Sequence, residues 1–227
     1  MVSMRRICTL LFFVFYISCN AQEKKAYTDF IEEIISQRDV YKTEYAEANS
    51  SKKQEIIINA RTYLISKMTT ELFPYWYGTQ WDFNGTTRTP QNGKIACGYF
   101  VTNILTDVGF NIPRVKWAQS ASEVFIKKLS YGDIQRFSNK SIATIEQHLL
   151  KSGDGLYLVG LDSHTGFIYV KGDQIRFIHA DYYEPEIGVV SEEIDSHSPI
   201  RDSNYRVIGK LMSDKMIISW IQKQAIR

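Results

Sequence analysis

The sequence predicts an α+β fold. Apolar residues recur at helical spacing through the first half of the chain. Beyond residue 155 they fall instead into short β-rich runs cut by Gly and Asp. Helices first and strands afterwards give helices packed on an antiparallel sheet, and a length of 227 residues, 44% hydrophobic, suffices for a sizeable core.

Residues 27–47 place Tyr27, Phe30, Ile31, Ile34 and Ile35 along one helical face. "NSS" at 49–51 then offers an N-cap for a second helix over 52–70, with Ile56, Ile57, Ala60, Tyr63, Leu64 and Met68 turned inward. "ELFPYWYGTQWDFNGTTRTPQNG" is crowded with Pro, Gly, Asn and Thr and reads as a long aromatic loop, a feature that is usually functional. In "GKIACGYFVTNILTDVG", Phe100, Val101, Ile104, Leu105 and Val108 mark one face of a helix, Gly109 is its C-cap, and Cys97 falls in its first turn. Helices over 117–129 and 141–150 follow. The strands are "GLYLVGL", "HTGFIYVKG", "DQIRFIHADY" and "YRVIGKLM", with "KGD" at 171–173 as a hairpin turn and "DKMIISWIQKQ" as a closing helix. No repeat or low-complexity tract interrupts this order.

Three segments follow from composition. "MVSMRRICTLLFFVFYISCNA", residues 1–21, has a basic start, an apolar run and then small or polar residues, which is an export signal. "YISCN" within it resembles a lipobox that would lipidate Cys19 and tie the protein to a membrane, with Tyr16 where an aliphatic residue is usual; plain cleavage after Ala21 is the alternative. An N-terminal helical segment over 22–62 and a main domain over 63–227 complete the chain. Arg5 and Arg6 leave with the signal, and they account for the excess of 27 basic over 25 acidic residues. The balanced remainder gives no electrostatic case for nucleic acid. Four Trp, fourteen Tyr and twelve Phe argue for a packed fold or an aromatic groove.

Of three cysteines, Cys8 and Cys19 lie in the signal, so Cys97 is the single thiol of the folded domain. An unpaired thiol in an exported protein is buried packing or is used in chemistry. Its place in the first turn of a helix favours chemistry, because the positive end of the macrodipole stabilises a thiolate. His164, at the start of a strand, is the candidate base, and His179, near the end of the next strand, the candidate orienter of its ring. The "KGD" turn lies nearly midway between the two histidines, so a hairpin brings them side by side. Asp162 or Asp181 is the alternative orienter. His148 reads as exposed on a polar helix face, and His197 as loop. No cofactor is expected; a metal cluster of His179, Asp181, Glu184 and Glu186 is the reading set aside, acidic turns being common.

"PYWYG", "CGYFVTNILTDVGFNIPRVKWAQ", "HTGFIYV" and "FIHA", in this order, resemble the blocks of the NlpC-type cell-wall cysteine peptidases, which are papain-like. The resemblance runs from about 63 to 182. It implies a papain-like core with Cys97 as nucleophile, His164 as base and His179 as orienter. The backbone N–H of Cys97 is expected as an oxyanion donor, with Gln91 or Tyr77 as a second by resemblance, while Tyr75, Trp76 and Trp81 either line a groove or pin the loop by aromatic packing. The implied activity is hydrolysis of an amide bond, with peptidoglycan peptides as the first substrate. An amidase or acyltransferase on another exported substrate is the enzymatic alternative, and a silent peptide-binding lipoprotein the non-enzymatic one. Where the family usually has Asp-Cys-Ser-Gly, this chain has Ala96-Cys97-Gly98-Tyr99, and residues 130–154 form a longer link than usual.

Overall fold

The computed structural model describes residues 27–227; the expected export signal over 1–21, with Cys19, and residues 22–26 lie outside the described residues. Helix α1 covers 27–47 and α2 Ser50–Lys67, whose N-cap Asn49 accepts from the Lys52 N–H. The chain does not then become a loop. A π-helical turn, Met68–Leu72, leads directly into α3, Phe73–Trp76. Pro74 is tolerated because it falls in the first turn of α3, where a missing N–H costs least. Met68, Leu72, Phe73 and Trp76 therefore continue the buried stripe of α2.

Helix α4, Cys97–Asp107, is the central helix, buried on nearly every side from Phe100 to Leu105. Each such apolar side chain contributes roughly 1.5–3 kcal/mol. Gly109, at φ 96°, turns the chain out of it. The helix expected over 117–129 is two, α5 (Arg114–Ala118) and α6 (Ser122–Leu129), broken at 119–121. The break bears on the site below. Strand β1 (Ile134–Ser138) precedes α7 (Ile142–Ser152), capped by Ser141. Then come β2 (Gly155–Leu161), β3 (Thr165–Lys171), β4 (Gln174–Ala180), β5 (Val189–Glu193), α8 (Pro199–Asp202), β6 (Tyr205–Lys210) and α9 (Asp214–Ile221).

The six strands form one antiparallel sheet in the order β1-β6-β2-β3-β4-β5. Alternation divides its faces: Leu156, Leu158, Phe167 and Ile178 join the core under α4, while Tyr157, Val159, Ile168 and Phe177 pack with Ile145 and Leu149 of α7. Strand β2 is buried on both faces, which explains its continuous apolar run. The expected domain boundary at 62/63 falls inside α2. Phe30, Ile34, Ile57 and Leu64 share one core with Phe100, Ile104 and Trp220, so the N-terminal helices are integral to the main domain. Tyr27 Oη donates to Asp107 and accepts from Trp76 Nε1, while Arg88 pairs with Asp107 and Asn103, tying α1 and the 77–96 loop to the central helix.

Candidate active site

Cys97 opens α4, and its N-cap residue, Ala96, has no side chain that can cap the first turn. The N–H groups of that turn are left for other acceptors. The N–H groups of Thr165, Gly98 and Cys97 itself act on the sulfur and pull its pKa down, but burial is the larger effect and pushes the thiol up. The helix dipole expected from the sequence thus does not leave a resting thiolate; desolvation outweighs it.

Gly98 stands where the resembled family carries Ser, and the packing gives the reason. A Cβ at position 98 would run into the backbone carbonyl of Ala118, at the end of α5. Only glycine lets α4 start against that helix. Beyond Ala118 the chain breaks at 119–121, and the gap between α5 and α6 becomes one wall of a cavity of about 530 Å³. Cys97 and Gly98 form its second wall, the β2–β3 turn with His164 and Thr165 its third, and Tyr205 and Val207 of β6 close it. Among the described residues no hydrogen bond joins the sulfur to the His164 ring; the two groups face a common space.

His164 is buried at 5% exposure, and its Nε2 lies 3.0 Å from Nδ1 of His179, itself fully buried. The pairing register puts residue 166, not 164, opposite 179, so the histidines meet diagonally across β3 and β4. Gly166 makes this possible: its backbone is ordinary, but a Cβ there would lie 2.7 Å from Phe177 Cε2, 2.8 Å from the Ile178 carbonyl and 2.9 Å from His179 Cβ. Phe177 stacks on the His179 ring at 4.1 Å between centroids and 15° between planes, and Tyr182 covers His164 at 5.1 Å. Burial, and then the neighbouring His179, hold the His164 pKa well below the ordinary imidazole value, so its ring rests neutral.

The second nitrogen of His179, Nε2, lies 2.9 Å from Oε1 of Glu192 on β5. Burial pushes this carboxyl up, but the contact with His179, chief among the opposing effects, brings it below its ordinary value. Glu192 was not among the residues the sequence singled out. "VVSEE" gives no strong strand signal, and without β5 nothing places its second-last residue beside the histidine.

The alternative orienters are committed elsewhere. Asp162 accepts from the Asn204 and Tyr205 N–H groups and from Ser203, and Asp181 from the Tyr183 N–H. His179 spends both nitrogens on His164 and Glu192, and no metal-binding group of three or more His, Cys, Asp or Glu occurs among the described residues. His148 is half-buried against Phe137 rather than exposed, and burial lowers its pKa. His197 is exposed beside Asp202 and Tyr183.

Several sequence candidates sit away from the cavity. Gln91 is exposed in a turn at φ 57°, with its amide donating to the Tyr75 carbonyl. Burial raises the Tyr77 pKa, while Ser191 and Arg176, near its hydroxyl on β5 and β4, draw it down. Neither lines the cavity. Trp76 is core, at 0% exposure against Phe100, because the helical turn of α3 points it inward. Tyr75 packs on Tyr27 and Phe30 of α1. Trp81 alone of the three groove candidates reaches the site, through Tyr182, which it contacts at 5.9 Å. The chain matches no family model, no curated protein and no solved structure.

Proposed function

We propose that the protein is an exported cysteine hydrolase that cleaves an amide bond, with peptidoglycan peptides as its first substrate. The observation that carries the reading is the shared cavity of Cys97 and His164, with His179 bonded behind His164. In the free protein both reacting groups are neutral, and catalytic hydrogen bonds are often long before substrate binds. As the Cys97 sulfur attacks the scissile carbonyl, its proton passes to His164 Nδ1, the nitrogen not engaged by His179. The oxyanion is met by N–H groups of the first turn of α4. His164 then protonates the leaving amine, and a thioacyl enzyme remains. Water, deprotonated by His164, attacks the thioester and returns the free thiol. His179 accepts from Nε2–H and holds the ring in place.

The blocks that resemble NlpC-type peptidases support the same assignment and the papain-like reading of the core. Export, and lipidation at Cys19, belong to this proposal. The narrow start of α4 at Gly98 and Ala96 marks a substrate contact unlike that of the resembled family, so wall peptides are tested beside other amides.

The test is digestion of purified wall material, with products read by mass spectrometry, using the native chain, Cys97→Ser and His164→Ala. Release of new amino termini by the native chain, and a fall of at least about a thousandfold in both variants, is expected, because nucleophile and base act as a unit. Full turnover by Cys97→Ser refutes the reading. Should no wall product form, acylation of Cys97 by a panel of activated amides separates another hydrolase from a silent binding protein.

A further inference from the structure

We propose that Glu192 is a positioning residue that fixes the tautomers of both imidazoles and thereby makes His164 Nδ1 the nitrogen with the free lone pair. A neutral imidazole carries its proton on one nitrogen only. Two neutral rings joined Nε2 to Nδ1 therefore have two ways to make the same bond. Either His164 Nε2–H donates to His179, or His179 Nδ1–H donates to His164. The first leaves a lone pair on His164 Nδ1, the nitrogen His179 does not engage, on a residue that lines the cavity; the second puts a proton there and removes the base. The bond between the rings does not choose between them.

Glu192 makes the choice. An ionised carboxylate accepts and cannot donate. The 2.9 Å contact from Oε1 therefore places the His179 proton on Nε2, which leaves Nδ1 as an acceptor. Across 3.0 Å that acceptor requires a proton on His164 Nε2, and the only lone pair left on His164 is on Nδ1. The line is rigid: Phe177 lies flat on His179, and Gly166 leaves no side chain between the strands. Among the described residues, the neighbouring charged groups are engaged elsewhere. Arg176 and Glu193 pair with each other on the opposite face of β4 and β5, and Asp162 and Asp181 serve backbone N–H groups. The carboxylate thus directs a ring it does not touch.

The inference concerns protonation sites and stands apart from what is hydrolysed; only its effect on rate rests on the hydrolase reading. Long-range 1H–15N correlation on the full 15N-labelled chain at pH 8 reads the tautomer of each histidine directly. Native protein is expected to show Nε2–H at both His164 and His179. Glu192→Gln preserves shape but can donate as well as accept, and Glu192→Ala offers neither. Both variants should show Nδ1–H at the two histidines in a substantial fraction. Nδ1–H at either ring in the native protein, or an imidazolium at His179, overturns the proposal, and so do variants with unchanged tautomers. Where turnover is measurable, Glu192→Gln should lower kcat by tenfold or more with KM little changed; a wrong-tautomer substitution can cost up to ~10⁴-fold. Correct tautomers without turnover would uphold Glu192 and refute the hydrolase.

Discussion

Replacing Gly166 by Ala isolates the clearance on which the histidine pair depends. In an ordinary strand the change should help slightly, by roughly 0.5–1 kcal/mol, since glycine loses more backbone freedom on folding. Position 166 needs no special backbone conformation, so strain in φ is not involved. Space is. The added methyl meets three atoms between 2.7 and 2.9 Å, and ordinary contact begins near 3.4 Å, so neighbours must yield by about 0.5–0.7 Å. Phe177 is locked in the far core, and the Ile178 carbonyl belongs to the paired strand, so neither can swing aside. The His179 Cβ is fixed to the same strand, so β3 and β4 must separate locally, and the bond from His179 to His164 lengthens beyond hydrogen-bonding range. Overpacking of this kind costs about 1–3 kcal/mol, which outweighs the backbone gain. Urea denaturation should show a lower midpoint with unchanged slope, and turnover should fall further than stability explains. A variant as stable as the native chain, with full turnover, would refute the clearance argument.

Two further expectations follow from burial. Trp76→Ala should destabilise by about 3–5 kcal/mol, as a large core aromatic does, while Trp81→Ala should cost much less and raise KM; equal effects in denaturation would contradict the separation of core from groove. His164 is depressed in the folded state, so the unfolded chain binds its proton first as pH falls below about 6.5. Stability should decline from pH 6.5 downward, by at most about 1.4 kcal/mol per pH unit, until the folded pKa is passed. In His164→Gln that contribution should vanish from thermal melts between pH 7 and 5; an unchanged slope would place the titration elsewhere.

The elements written most clearly in the sequence are those whose periodicity reflects burial. Helix α1, the start of α4 at Cys97 and the hairpin around Gly172 all sit where spacing and turn residues predict. The edge strands are different. β1 and β5 are five residues each and mostly polar beyond their first residues, so "IQRFS" and "VVSEE" give too little apolar pattern to be read as strands. Pro74 made the stretch after α2 look like a loop, although a π-turn carries the helix past it. Distances between sequence positions misled for Gln91, whose spacing from Cys97 fits an oxyanion donor while its turn sends the amide to Tyr75. The two histidines were legible because a hairpin is a local structure. Glu192 was not, because its place depends on a third strand returning to pair with β4.

That same succession of strands sets an order of assembly. His164, His179 and Glu192 come from β3, β4 and β5, neighbours both along the chain and in the sheet. They can be gathered by a meander whose contacts span few residues, which carries little loop-closure entropy. Cys97 belongs to a helix far upstream that docks onto those strands across α5, α6, β1, α7 and β2. Cys97 therefore meets His164 only through the longest closure in the site. Until α4 docks, the thiol has no cavity to face, so the pairing of Cys97 with His164 arrives together with the native packing.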